Sequence, residues 1–277
     1  MANLHELKAP IPQDQLESLR EALASLQGNI LQGHGRDHSV HISLHFKADK
    51  QTVKRWIARR AKRVTSAQQQ MDETEQYRQH RIPGRLFMSF FLSASGYTYL
   101  GFDAPQDGAR IRDRAFTYGM KAARALLNDP SKEKWEERYR QDIHAMVLLA
   151  DDDEPFLQRE AGKLLDGVKA YADICAVERG RVIRNAQGYA VEHFGFVDGR
   201  SQPRFFQSDI EWEKQTEDGT NVWNPGAGPD LVLVPDPYRE RAYDSGSYVV
   251  FRKLEQNVRG FKEYEKKLAQ ALVSVMK

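Results

Sequence analysis

Ser39-Val40-His41-Ile42-Ser43-Leu44-His45-Phe46 alternates strictly: Val40, Ile42, Leu44 and Phe46 fall on one face, His41, Ser43 and His45 on the other. A period of two belongs to a strand with one face against a core. Downstream, residues 52–64 read as a basic helix around Trp56 and Ile57, and residues 86–92 as an apolar, aromatic strand. Residues 93–102 make a short helix or turn. Residues 120–127 and 132–140 read as helical, 143–150 as a strand, 154–168 as a helix carrying Leu157, Ala161, Leu164 and Leu165, and 174–183 as another strand. Upstream, Leu16, Leu19, Leu23 and Leu26 lie at helical spacing within residues 13–26, and Gly28 follows as a stop signal. This order over the first ~185 residues predicts an α+β fold. One antiparallel sheet with helices on one face satisfies it, as in a ferredoxin-like split βαβ unit.

After Gly188 the chain changes character. Gly, Pro, Asp and Asn are frequent between Gly195 and Gly228, which predicts long irregular connections. Residues 247–251 then read as a strand, and residues 254–273 as a long charged helix with Val258, Phe261, Tyr264, Leu268 and Leu272 at helical spacing. One strand and one helix cannot bury both faces of a new sheet. Residues 1–185 are therefore read as a first domain, and residues 186–277 as the start of a second, unfinished one.

Composition bounds the function. The 277 residues are 40% hydrophobic and 29% charged, enough for a sizeable core in a globular protein. A net charge of +2 favours neither nucleic acid nor an anionic membrane as partner. The one cysteine, Cys175, excludes an intrachain disulfide framework and is compatible with a reducing compartment. Residues 1–15 carry Pro10, Pro12 and several charges, without the basic head and apolar run of a secretory signal. No run approaches the roughly 18 apolar residues of a membrane span. The expectation is a soluble, cytoplasmic protein. No repeat, P-loop, Rossmann fingerprint or Ser-His-Asp logic stands out.

The segment richest in chemistry is Gly195-Phe196-Val197-Asp198-Gly199-Arg200-Ser201-Gln202-Pro203, a carboxylate between glycines after an apolar strand end. Gly199 permits positive φ or close approach of the backbone to a flat ligand, and Pro203 stiffens the exit. Taken alone, the segment also reads as a plain Asp-Gly turn.

The same segment, Gly-x-x-Asp-Gly followed by Ser-Gln-Pro, resembles the signature of dye-decolourising haem peroxidases. Three further stretches agree in order. Gln27 to Arg36 is similar to the family's GNIL-x-G stretch, Phe90 to Gly101 to its strand-to-helix segment ending in Leu-Gly, and Gly246 to Gln256 to its strand–helix junction GSY-x-V-F-R-K-L-x-Q. The likeness is to the larger, cytoplasmic branch. It implies two ferredoxin-like halves, with haem b in the C-terminal half, hydrogen peroxide as oxidant and dyes or phenols as electron donors. It implies that Asp198 is the distal acid–base residue, and that Val197, Asp198, Gly199, Arg200, Ser201 and Gln202 line the haem face. Such a carboxylate must be ionised yet sheltered, within hydrogen-bond reach of the peroxide. A distal arginine would stabilise charge as the O–O bond breaks, and a proximal histidine would ligate the iron.

Here the sequence departs from the pattern. The family's proximal histidine and distal arginine follow the long helix, and this sequence reaches Lys277 inside or just after it. All eight histidines, the last being His193, precede Gly195. Arg200 follows the motif without matching the arginine's position. The readings left open are a peroxidase completed by a separate polypeptide, a haem-free relative acting as a non-catalytic binding module, or a processed piece of a longer protein. The partners implied are a complementary peroxidase fragment or a second copy covering the unfinished unit, besides peroxide and a small-molecule donor.

Other constellations read as structural. His34, His38, His41 and His45 are spaced four, three and four apart, but only His41 and His45 share a strand face, too few for a closed zinc site. They read as a solvated strand face. The cations of residues 54–63 read as the solvated side of a helix, and Asp151, Asp152, Asp153 and Glu154 as helix-dipole partners rather than a calcium loop. Cys175, beside Ile174, Ala176 and Val177, reads as a buried inert thiol.

Overall fold

The alternation at Ser39–Phe46 becomes the central strand of a sheet. In the computed structural model, the described residues are 3–102, 113–199, 202–216 and 224–275. In chain order the elements are α1 (Arg20–Ser25), β1 (His38–Phe46), α2 (Lys50–Ala61), α3 (Ala67–His80), β2 (Phe87–Leu92), α4 (Ala94–Tyr99), α5 (Arg114–Ala122), β3 (Ala145–Asp151), α6 (Glu154–Val168), β4 (Ala172–Arg181), β5 (Ile183–Arg184), β6 (Ala190–Val191), α7 (Gln207–Thr216), β7 (Val234–Pro235), β8 (Ser245–Gly246) and α8 (Val258–Val275). Strands β1 to β4 form one sheet in the order β2-β3-β1-β4. β3 runs antiparallel to both β1 and β2. So β3 splits the β1–helix–β2 unit, and β1 lies between β3 and β4, which is the ferredoxin-like arrangement.

Register explains the core. Val40 faces Leu149, Ile42 faces Val147 and Leu44 faces Ala145 across the β1–β3 ladder. These six residues, with Phe46 and Met88, form one buried cluster with Val53 and Trp56 of α2 and Leu157, Ala161, Leu164 and Val168 of α6. Burying each such aliphatic chain contributes about 1.5–3 kcal/mol. Helix α6 begins where Asp153 caps it, its carboxylate accepting from the Phe156 amide at 2.9 Å.

The opposite face is not the solvated one that the histidines and serine suggest. Ser43 and Ser89 are buried, and Phe87, Leu148 and Ala150 form a second, smaller cluster there. His34 packs on the Phe87 ring at 5.3 Å, and His45 stacks on His144 at 4.2 Å, so the histidines disperse into separate aromatic contacts.

Two compact units are present, residues 1–180 with 203–249, and residues 181–202 with 250–277. In the first, a cluster apart from the sheet joins Leu4, Ile11, Leu19, Leu23, Leu26 and Leu31 to Phe205, Phe206 and Leu233. In the second, β5 and β6 form a short hairpin, and α8 is the long helix.

Several local expectations are corrected. Residues 247–251 carry no strand; the nearest pairing is β7 with β8, just ahead of them. A strand needs a ladder partner as well as an apolar sequence. Residues 132–140 hold two single 3-10 turns, Lys132–Lys134 and Glu137–Tyr139, and the helix placed at 120–127 lies earlier, at α5. The stretch from Gly195 to Gly228 contains a helix, α7. Helix α3 escapes the hydrophobic pattern because its buried residues are Ala67, Gln68 and Gln70.

Candidate functional site

Residues 190–199 close a small hairpin in the second unit. Val191 bridges Val197 antiparallel. The Asp198 amide donates to the Ala190 carbonyl at 2.8 Å, and Glu192 donates to Phe196 O at 3.0 Å. Gly195 sits in the turn with φ 98°, and Gly199 ends the segment with φ 78°. Nothing lies within 4 Å of a Cβ built on either residue. Both glycines are therefore demanded by backbone conformation rather than by space. The positive φ expected of Gly199 is present.

The Glu192 side chain is the hairpin's second closure. Its two oxygens accept from the amides of Phe194 at 2.6 Å and Phe196 at 2.9 Å. Burial opposes its charged form, but those two amides, with His193 and Lys262 nearby, hold the carboxyl below the usual glutamate range. On α8, Phe261 stacks on Phe194 at 4.3 Å and meets Phe196 edge-on at 5.9 Å. The Lys262 ammonium lies 5.4 Å from the Phe196 ring centre.

The sequence-derived site residues fall here as follows. Val197 is half-buried on the hairpin, and Asp198 and Gly199 are exposed at its end. One Asp198 oxygen accepts from the Gly199 amide at 2.8 Å. Gln202 is exposed, while Arg200 and Ser201 lie outside the described residues. Glu192 and Phe194 were not singled out from the sequence, and Phe261 was read there as part of the long helix's apolar stripe. No sequence pattern marks Glu192, since its amide partners are defined only by the folded turn.

The arrangement offers a carboxylate on a rigid turn with open space before the two glycines. That fits one wall of a flat cofactor's site. It does not supply an iron ligand: His193 is exposed in the hairpin turn itself, and the other seven histidines lie far upstream. Among the described residues, no three His, Cys, Asp or Glu side chains gather as a metal site.

The family described as the DyP dimeric alpha+beta barrel domain matches residues 25–182. This chain belongs to the dye-decolourising peroxidase family. The multifunctional dye peroxidase DyP2 of an Amycolatopsis species is 39% identical over 254 residues, covering 90% of this chain and 53% of that protein. A crystal structure of an Anabaena DyP-type peroxidase superposes with a TM-score of 0.87 at 42% identity, over 95% of this chain and 57% of that one. The DyP2 structure gives a TM-score of 0.85 at 36% identity, over 95% of this chain and 56% of that one. The chain thus spans little more than half the length of these DyP relatives. No helix among its described residues is long and apolar enough to cross a membrane.

Proposed function

We propose that this chain supplies the N-terminal half and the distal arm of a DyP-type haem peroxidase, using hydrogen peroxide to oxidise dyes or phenols in the cytoplasm. The observation that carries this reading is the closed hairpin presenting Asp198, in a chain whose relatives are dye peroxidases. Residues 1–185 are the first ferredoxin-like domain and residues 186–277 the beginning of the haem domain. Val197 to Gln202 would face the cofactor, haem b, which when bound supplies the redox centre for cleavage of the peroxide O–O bond. Asp198 would take the proton from one peroxide oxygen and return it to the departing one. Its short side chain on a positive-φ turn holds that carboxylate in one place as the proton moves. The iron ligand and the distal arginine would come from a complementary segment.

A second reading has its own support. The exposed apolar side chains Tyr264, Leu268 and Leu272 of α8 also fit a haem-free DyP relative that binds a partner through its second unit. One experiment separates them. Haem is added to the purified chain together with the portion of the Anabaena peroxidase that this chain does not cover. The enzyme reading predicts a strong Soret band and peroxidase turnover that falls about 100-fold or more in Asp198→Asn. A flat spectrum from folded components supports the binding module, and unchanged turnover in Asp198→Asn removes the role given to Asp198.

A further inference from the structure

We infer that Glu192 is a positioning residue for Asp198, and that Phe261 anchors the turn it closes. This rests on the reading of Asp198 as the proton-transfer group. The 190–199 hairpin has short arms, the two-residue β6 on one side and the single Val191–Val197 bridge with the Asp198–Ala190 bond on the other, and short isolated hairpins are marginal in water. The Glu192 carboxylate replaces ladder length with charge-assisted bonds to two amides of the turn, at 2.6 and 2.9 Å. The second of those amides belongs to Phe196, which flanks the Val191–Val197 bridge on one side as Asp198 flanks it on the other. Reciprocal backbone bonds, Glu192 N to Phe196 O and Gly195 N to Glu192 O, complete the turn. Phe194 and Phe196 then grip Phe261 from two sides. The direction in which Asp198 leaves the strand is thus set by a carboxylate six residues earlier and by a ring on α8.

Glutamine at position 192 keeps the size of the side chain but leaves one acceptor oxygen for two donors. The first readout needs no activity. In the full chain, the amide proton shifts of Phe194 and Phe196 should titrate together, with an inflection below the usual glutamate range. The inflection should vanish in Glu192→Gln, and amide exchange at both positions should rise about tenfold. Phe261→Leu should loosen the turn while leaving the inflection in place. The second readout uses the haem-loaded assembly. Glu192→Gln should lower kcat about tenfold with the Soret band retained, and the Asp198→Asn/Glu192→Gln double variant should be no slower than Asp198→Asn alone. Absence of the titration, or independent multiplication of the two losses, overturns the inference. Unchanged turnover in Asp198→Asn would instead overturn the reading beneath it.

Discussion

Gln70 is a buried polar residue on a helix with no apolar stripe, and its truncation should be among the more damaging single changes in the first unit. Its side-chain oxygen accepts from the Asn29 amide at 2.7 Å. Its amide group donates to the carbonyls of Gln32 at 3.0 Å and Gly33 at 2.7 Å. Three backbone groups of the GNIL stretch therefore depend on one side chain that is 6% exposed, in a segment where Asn29 adopts φ 65°. Gln70→Ala leaves all three unpaired. At about 1 kcal/mol net for each bond, and more where water cannot enter, the loss should be about 3 kcal/mol. For a domain of this size that lowers the melting temperature by about 6–12 °C. Gln70→Glu should be at least as harmful, since it keeps the acceptor for Asn29 but turns a carboxylate oxygen toward two carbonyls. Thermal unfolding followed by circular dichroism, with the His34 amide as a local exchange probe, measures both. A shift under about 1 °C in Gln70→Ala, or wild-type stability in Gln70→Glu, would refute the reasoning.

Burial, with Arg36 and His41 adding to it against Asp152, pushes the His34 imidazole from 6.5 down to about 4, and its Nδ1 accepts from the Arg36 amide at 3.0 Å. The folded-state value is depressed, so the associated stability is complete above pH 6.5 and is lost as pH falls toward 4. The loss is about 3 kcal/mol, and denaturant titrations across that window should show a smaller loss in His34→Phe; equal slopes for both proteins would contradict it. On α8, Tyr264, Leu268 and Leu272 are 72, 62 and 55% exposed. The chain at micromolar concentration should therefore sediment as an associated species that Leu268→Lys with Leu272→Lys disperses; a stable, non-aggregating wild-type monomer would show that the stripe needs no cover.

The sheet was legible because β1 alternates, α6 keeps a helical period, and β3 is an unbroken apolar run of strand length. Residues 247–251 looked like a strand for the same reason, yet pairing is a non-local fact that an apolar run does not contain. Helix α3 failed in the opposite way. Its buried face is made of glutamines whose burial depends on loop carbonyls distant in sequence, so no hydrophobic period announces it. At the site, the GxxDG stretch was legible through its glycines, whose positive φ values are a local demand. Glu192 was not, because a half-buried glutamate carries no sequence signal until the turn shows which amides it meets.

The same division between local and non-local structure bears on the second unit. Its 190–199 hairpin is closed by contacts within about ten residues of sequence and by one aromatic ring on α8. The rest of the unit lacks such closure. Beyond Phe261 the helix turns Tyr264, Leu268, Leu272 and Val273 to solvent, and α8 has a hydrophobic period along its whole length. An amphipathic helix draws most of its stability from burying that stripe. Among the described residues of this unit, the strands are two residues each, too short to bury that stripe.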